Sequence, residues 1–233
     1  MQKVGRGENA MIAYKLTDQN MCTRNSYQWV LGEKRTASGI GDLCSSGWLH
    51  AYTHPLLAVL LNPMHANIEN PRIFECVTGD TTKHNKGLKL GSTELSLVHE
   101  LVLPIVTTEQ KVAFAIRLTL TLYEDVKFNQ WANNWLSGID RSESAAESAA
   151  RSAWSAAWSA AWSAESAEWF AARSAAWSAE SAAWSAESDE SAESAEWFAA
   201  RSAAWSAESA AESNKLVDIA IQVVPDYKIT YKD

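Results

Sequence analysis

The sequence predicts an α+β fold, in which a small mixed domain precedes a long α-helical segment of repeated serine, alanine and tryptophan. Residues 1–138 alternate short apolar runs with turns that contain glycine or proline. Residues 139–224 contain neither glycine nor proline, and the string SAESAEWFAARSAAWSAESAA occurs there twice, at 163–183 and at 191–211. We therefore expect a head over 1–138, a helical tail over 139–224 and a C-terminal extension over 225–233.

Local patterns predict the elements of the first half of the head. Short apolar runs bounded by polar residues predict strands, at 10–17, 27–32, 72–79 and, more weakly, 87–91. Residues 37–47 form a loop because glycine and serine are frequent there. A short helix over 54–63 has Pro55 in its first turn, a position that suits proline. We expect another short helix over 95–103, ending before Pro104.

Residues 107–126 fit two patterns. Apolar residues at alternate positions, 116, 118, 120 and 122, are typical of a strand, whereas a stripe every three or four residues from Val112 to Val126 is typical of a helix. Thr107 and Gln110 have the spacing of a capping box. Because no glycine or proline interrupts the segment, we favour a helix.

The end of the head leads into the tail. A helix over 128–136 places Trp131 and Trp135 one turn apart, which is typical of core residues. Asp140 and Glu143 then have the spacing of a capping box at the start of the long tail helix.

The tail has the period of an α-helix. Its serines follow one another at steps of three and four residues, on average about 3.6. An alanine nearly always follows each serine, so the small side chains form one smooth face. The bulky tryptophans gather within about half of the helix circumference. These helix-packing candidates are Trp154, Trp158, Trp162, Trp169, Trp177, Trp184, Trp197 and Trp205.

A ridge of indoles is not stable in water, so another surface must cover it. We favour a tail that folds back as a hairpin or small bundle, with a bend near residues 188–191. Pairing of straight helices between chains is the main alternative, and disorder of the low-complexity segment is another. The same face could instead bind an extended partner.

The net charge of −8 comes wholly from residues 141–213, since acidic and basic residues are equal in number elsewhere. Such a segment repels phosphate, so we expect no nucleic acid partner for the tail. We also expect no membrane association, because no uncharged run is long and apolar enough to span a bilayer. These features predict a soluble, cytoplasmic protein.

The three cysteines, Cys22, Cys44 and Cys76, form no CxxC motif and no paired framework. Cys44 and Cys76 could bind a metal together with His50 and His54, and Cys44 could act as a nucleophile with His50 as its base. The simpler interpretation makes His54 a helix cap and His50 part of the preceding loop. We therefore expect no metal, no cofactor and no catalytic residue.

Several motifs together resemble a known family. These are AYKLTDQNMCTRNSYQWVLGE, LCSSGWLHAYTHPLLAVLLNP, GLKLG, WANNWLSGIDRSESAAESAARSAW and, near the C-terminus, NKLVDIAI. The chain is similar over most of residues 10–160 to an uncharacterised family of phage and prophage proteins, which have a compact N-terminal domain and an alanine-rich repeat tail. The resemblance implies a phage context and a bacterial host, and no catalytic residues. The acidic, tryptophan-rich tail departs from that pattern.

Our leading hypothesis is a non-enzymatic phage accessory protein, whose tail mediates self-association or binds a host or phage protein. The alternative is a head that binds or modifies a small, nucleotide-like molecule of a host pathway through the loop at 43–54. The polar residues of that candidate pocket are Cys44, Ser45, His50, Tyr52 and His54. A structural component of the virion is a third hypothesis.

Overall fold

The structure is a computed structural model, and it describes residues 10–85, 89–121, 124–142, 144–146, 148–151, 197–201 and 213–232. Contacts between residues divide the chain into two compact units. The first unit comprises Met1–Ile105, Glu212–Val217 and Pro225–Asp233, and the second comprises Val106–Ala211 and Asp218–Val224. The two helices that follow residue 105 therefore cluster with the second unit, although composition placed them with the head.

In the described ranges, five strands precede the first two α-helices, and four further strands precede the other named helices. The strands are β1 (Ile12–Thr17), β2 (Cys22–Thr23), β3 (Tyr27–Gln28), β4 (Lys34–Thr36), β5 (Leu49–Ala51), β6 (Arg72–Thr78), β7 (Thr82–Asn85), β8 (Lys89–Ser92) and β9 (Glu94–Leu101). The helices are α1 (Pro55–Leu60), α2 (Asn62–His65), α3 (Thr108–Thr119), α4 (Val126–Leu136) and α5 (Ser213–Val223). The part of the chain before residue 105 thus has the mixed sheet and helix content of the predicted α+β class.

Antiparallel strands build the first unit. One sheet has the order β1-β6-β9-β4, a second has the order β5-β8-β7, and β2 pairs with β3 as a separate hairpin. A bridge between Tyr14 and Tyr52 joins the first two sheets, because each residue donates its backbone N–H to the carbonyl oxygen of the other, at 2.8 and 2.7 Å. Both sheets contribute to one core cluster, which contains Ala13, Trp29, Phe74, Cys76, Leu90 and Leu97 among its buried residues.

Helix α1 packs against β1. Its apolar residues are almost completely buried, with Leu56, Leu57 and Ala58 at 0% exposure. His54 caps its N-terminus, since Nδ1 accepts a hydrogen bond from the backbone N–H of Leu56 at 3.2 Å, and Pro55 occupies the first turn, as the sequence predicted.

Two sequence predictions in this unit are wrong. Residues 95–103 do not form a helix, because β9 lies between β6 and β4 and its backbone N–H and C=O groups bond to both neighbours. The pairing overrides local helix preference, and Leu95 and Leu97, two residues apart, are buried with Cys76 of β6 in one core cluster. The strand expected over 27–32 ends at Gln28, since a turn that contains Gly32 at φ 78° follows.

The C-terminal residues return to the first unit. Tyr231 forms a bridge with Leu101 at the end of β9, and the Tyr231 hydroxyl donates to Glu75 Oε2 at 2.7 Å. Glu100 accepts hydrogen bonds from Arg72 Nε at 3.0 Å and from Lys232 Nζ at 2.6 Å. The last residues are therefore part of the folded unit.

In the second unit, α3 begins with the predicted capping box of Thr107 and Gln110. It ends at Thr119, well before the predicted end at 126, and α4 begins separately at Val126. The buried cluster of this unit joins residues of α3, α4 and the segment that follows them. Its members include Val112, Ile116, Phe128, Trp131, Trp135, Ala146, Ala149, Ala150 and Ala199.

The start of the tail differs in detail from its prediction. Asp140 Oδ1 accepts hydrogen bonds from the backbone and the hydroxyl of Ser142, and the Ser142 hydroxyl accepts from the backbone N–H of Ala145 at 3.4 Å. Ser142 rather than Asp140 thus caps the helical residues that follow, because Asp140 bonds to Ser142 and the Ser142 hydroxyl accepts the Ala145 N–H. Glu143, the predicted partner in the capping box, lies outside the described residues. Arg141 bonds to Glu109 Oε1 at 2.7 Å.

Most of the predicted tail lies outside the described residues. This holds for Trp154, Trp158, Trp162, Trp169, Trp177, Trp184 and Trp205. Trp197 is described: it lies in a helical stretch over 197–201, is 41% exposed and has Arg201 over its ring, 5.1 Å from the centroid. Among the helices in the described ranges, none is long and apolar enough to cross a membrane.

The carboxylate of Glu100 should stabilise the first unit in a pH-dependent way. The hydrogen bonds from Arg72, the largest cause, and from Lys232 lower the pKa of Glu100 from 4.5 to about 2. Because the folded-state pKa is depressed, the stabilisation is present above pH 4.5 and is lost as the pH falls through 2. We expect Glu100→Gln to lower the free energy of unfolding at pH 7, and the difference from wild type to close towards pH 2 in urea titrations.

A matched control lies on the same strand. Glu94 pairs with Lys34 at 3.1 Å, but the two side chains are 43% and 59% exposed. Exposed pairs contribute about 1 kcal/mol or less, so Glu94→Gln should have a smaller effect. Equal losses in both variants, or a loss that does not change with pH, would contradict this account.

Candidate functional site

A cavity of about 520 Å³ lies in the first unit. This volume is within the range of about 300–1,000 Å³ that is common for small-molecule sites. Its walls come from β1, the β2–β3 hairpin, residues 44–48 with β5, the end of α2, and β8. Short segments from separate parts of the sequence therefore meet at one place.

The β2–β3 hairpin forms a strained wall. Asn25 and Ser26 at its tip have left-handed backbone conformations, with φ of 61° and 55°. Asparagine tolerates this region better than serine does. Asp18 fixes the start of the hairpin, since its Oδ1 accepts hydrogen bonds from the backbone N–H groups of Asn20 and Cys22 at 2.9 and 2.7 Å. Strain of this kind is often found beside binding sites.

The loop before β5 approaches Ile40 so closely that only glycine fits at position 47. A Cβ atom on Gly47 would lie 1.9 Å from the Ile40 carbonyl oxygen. The Gly47 carbonyl accepts the backbone N–H of Gly39 at 2.8 Å, and the Trp48 indole N–H donates to the Gly41 carbonyl at 3.1 Å. This packing holds Trp48 in place as part of the cavity wall.

Aromatic side chains form much of the wall, namely Tyr27, Trp29, Trp48 and Tyr52. The ring centroids of Tyr27 and Trp29 are 5.4 Å apart, with a tilt of 59° between the rings. The Trp29 indole N–H donates to Thr23 Oγ1 at 3.1 Å. Of these two rings Tyr27 is accessible, at 40% exposure, whereas Trp29 is 2% exposed and packs against it.

Lys15 is a buried cation in the cavity wall, with 8% of its surface exposed. Its Nζ donates a hydrogen bond to the His50 carbonyl oxygen at 2.6 Å and lies 4.6 Å from the centroid of the Trp29 ring. Burial lowers the pKa of Lys15 from 10.5 to about 8, because desolvation disfavours the charged amine. A substantial fraction of this amine is therefore neutral slightly above physiological pH.

Tyr52 and His65 form a polar pair in the same wall. The Tyr52 hydroxyl lies 3.0 Å from His65 Nδ1, and the two rings are stacked at 5.9 Å. Burial, with smaller contributions from Lys89 and His50, lowers the pKa of His65 to about 4. The ring is therefore neutral at pH 7, so its Nδ1 can accept the hydroxyl proton while Nε2 carries a hydrogen and can donate.

The charges around the cavity have one sign. Lys15, Arg24 and Lys89 line it, and no Asp or Glu is among the described lining residues. His50 and His65 add polar groups whose pKa values burial lowers, so they supply little positive charge at pH 7. The cavity is thus a positive site in a chain whose net charge is −8.

Four of the five candidate pocket residues line this cavity. They are Cys44, Ser45, His50 and Tyr52. His54 does not line it, because its ring caps α1 instead. His50 lies in β5 and not in a loop, so His50 and His54 do not share a helical face. No group of three or more His, Cys, Asp or Glu among the residues that the structure describes could hold a metal ion.

Cys44 and His50 have separate partners. Lys89 Nζ lies 3.1 Å from Cys44 Sγ, and His50 Nε2 contacts the Leu43 carbonyl oxygen. The hydrogen bonds of the described residues do not join the thiol to the imidazole. This geometry therefore does not support the hypothesis that Cys44 is a nucleophile with His50 as its base.

Sequence reasoning missed several lining residues: Lys15, Arg24, Trp29, His65 and Lys89. One signal was available in β1, which reads IAYKLT. Strand alternation places Lys15 on the same face as Ala13 and Thr17, and both of these are 0% exposed. A lysine at an inward position of a buried strand marks a site, because buried lysines are rare.

The neutral state of His65 can be measured directly. We expect its ring proton resonances to titrate with a midpoint near pH 4 in an NMR pH titration, because burial disfavours the imidazolium. In Tyr52→Phe, which removes the hydroxyl but keeps the ring, the midpoint should stay below 6.5, since desolvation is the largest cause. A midpoint near 6.5 in the wild-type protein would show that the ring is solvated and would contradict the buried pair.

Comparisons with known proteins place this cavity in a recognisable domain. No curated protein and no solved structure matches the chain. One family model does match, over residues 11–109, and it carries the description "Domain of unknown function (DUF7666)". All described residues that line the cavity fall inside this match. A DUF7666 domain of unknown function therefore covers residues 11–109, and the cavity belongs wholly to it.

Proposed function

We propose that the first unit binds a small anionic molecule that carries a flat ring, such as a nucleotide. The single observation that carries this proposal is the composition of the cavity wall. Three cations line the cavity, the described lining includes no carboxylate, and four aromatic side chains complete the wall. This is the second of the hypotheses that the sequence raised, and the cations and rings of the cavity wall support it.

The positive charge supports an anionic ligand. Uncompensated cations that share one cavity repel one another, and an anion relieves that repulsion when it binds. Lys15 is buried without a carboxylate ion pair among the described residues, so it has the most to gain from a bound anion. Arg24 and Lys89 supply further donors, and Arg suits the oxygens of a phosphate or carboxylate.

The aromatic wall supports a flat ring on the same ligand. Indole and phenol rings bind planar groups by stacking, without demanding one base or one substituent pattern. The polar pair of Tyr52 and His65 and the hydroxyls of Ser45 and Ser46 could then select among rings by hydrogen bonding. Binding alone accounts for these features, and none of them requires a reaction.

Calorimetry can test this function with adenosine 5′-monophosphate as the probe. We expect the monophosphate to bind more tightly than adenosine or inorganic phosphate, because only the whole molecule uses both the cations and the rings. Added salt should weaken the binding, because it screens the charges. In Arg24→Ala combined with Lys89→Ala, the affinity should fall at least about tenfold, which corresponds to about 1.4 kcal/mol.

A matched double variant separates the cavity from general surface charge. Lys34 and Lys228 lie in the first unit but do not line the cavity, and replacing both with alanine removes the same charge. This variant should bind like the wild type. Equal weakening in both double variants, or no binding by any of the three probes, would overturn the proposal.

For the tail we propose that it folds back within one chain. Ala199 belongs to the same buried cluster as Ala149 and Ala150 of the second unit. A straight helix rises about 1.5 Å per residue, so it would separate residues 150 and 199 by roughly 70 Å. The shared cluster therefore supports a hairpin or bundle over one long rod. Self-association, a phage or virion context and a protein partner for the tail stay predictions.

Light scattering of the purified protein tests the folded-back tail. We expect the mass of one chain over a wide range of concentration, because a folded-back tail covers its own tryptophans. Trp197→Ala, at a position that is 41% exposed, should leave that mass unchanged. A dimer or larger species that persists on dilution would instead favour pairing of tails between chains.

A further inference from the structure

We propose that the Lys15 side chain forms an imine with an aldehyde or ketone that carries an anionic group, and that this bond holds the ligand in the cavity. This inference rests on the proposed function, because it concerns the same cavity. It adds a chemical class of ligand, a carbonyl compound, and a nucleophile.

The amine is held in one place. Nζ donates to the His50 carbonyl oxygen at 2.6 Å and lies over the Trp29 ring at 4.6 Å. Lys15 lies within β1, which pairs with β6 on one side and bridges to Tyr52 on the other. The paired backbone and the burial of the side chain, which is 8% exposed, together hold the nucleophile in position.

The surroundings do not fit a structural role as an ion pair. Buried lysines are normally paired with a carboxylate. Among the described residues no salt bridge involves Lys15, and the other charged residues that line the cavity, Arg24 and Lys89, are cations. Cys76 is the remaining neighbour that could carry a negative charge, but burial raises its pKa to about 12, so it stays a thiol.

Burial raises the fraction of the neutral amine, which is the nucleophilic form. Desolvation, the largest cause of the lowered pKa, is one way in which lysines become nucleophilic near neutral pH. The pKa of Lys15, about 8, agrees with this environment. An exposed lysine with a pKa near 10.4 would be neutral to a far smaller extent at pH 7.

The chemistry balances without any further reactant. The lone pair on Nζ forms a bond to the carbonyl carbon, and the carbonyl π electrons move to oxygen, which takes up a proton that the nitrogen releases. The resulting carbinolamine loses its hydroxyl group and the remaining N–H proton as water, which leaves a C=N bond. Amine and carbonyl compound therefore give imine and water, and nothing is oxidised or reduced.

The rest of the cavity fits the other end of such a ligand. Arg24 and Lys89 can bind an anionic group, and Trp48 and Tyr27 can contact a ring. A carbonyl group close to the ring would then face Lys15, which lies against Trp29. The ligand class is thus a small anion with an aldehyde or keto group.

Pyridoxal 5′-phosphate is a suitable probe, because it joins an aldehyde, a flat ring and a phosphate. We would add it to the full-length protein in equal amount, reduce any imine with borohydride and locate the adduct by peptide mass spectrometry. We expect one dominant adduct on Lys15, and an excess of adenosine 5′-monophosphate should reduce it at least about fivefold. Lys34→Arg, at a position that does not line the cavity, should keep the adduct on Lys15.

Lys15→Arg should show no dominant adduct. If that variant does not fold, the position of the adduct in the wild-type protein still tests the inference. Adducts spread over surface lysines with no preference for Lys15 would overturn the inference. Saturable binding of the probe without an adduct on Lys15 would overturn the imine and leave the proposed binding function standing. If the protein gives no adduct and no saturable binding, both the imine and the proposed binding function are overturned. An adduct on Lys15 that the nucleotide fails to reduce would support the imine and contradict a nucleotide-like ligand.

Discussion

The bridge between Tyr14 and Tyr52 is the constraint on which the cavity depends. Two short backbone hydrogen bonds join the edge of the four-stranded sheet to the end of β5. They bring the next residue of β1, Lys15, beside the carbonyl oxygen of His50. They also hold Tyr52 where its hydroxyl meets His65. One local pairing of β-strands thus places an amine, a phenol and an imidazole around one space.

The electrostatics of the molecule are divided between its parts. The acidic excess lies in residues 141–213, whereas the cavity is lined by cations and by no carboxylate in its described wall. Burying Lys15 without an ion pair costs stability, because desolvation of a charged amine is unfavourable. Such costs persist where they serve a ligand, and groups with shifted pKa values are frequent in binding and catalytic sites.

The path of the chain brings its C-terminal residues back to the first unit. The backbone leaves this unit after Ile105, and residues 212–217 and 225–233 belong to it again. Val102 donates its backbone N–H to the Thr230 carbonyl at 2.8 Å, and Tyr231 forms a bridge with Leu101. Residues that are far apart in the sequence therefore build the same unit.

The sequence by itself determined the features that depend on local chemistry. The capping box of Thr107, the helix start at His54 and Pro55, and strands β1 and β6 all follow from residue types at fixed spacings. It also indicated the segment that contributes Cys44, Ser45, His50 and Tyr52 to the cavity, because small and polar residues gather there.

Only the tertiary structure decided the features that depend on partners distant in sequence. Strand β9 forms because β6 and β4 bond to both of its edges, although its sequence also suits a helix. Lys15 gains its chemistry from burial beside residues of other segments, such as Trp29 and His50, and no local spacing predicts these neighbours. The physical reason is the same in both cases: hydrogen-bond pairing and desolvation act between neighbours in space, whereas sequence patterns report neighbours along the chain.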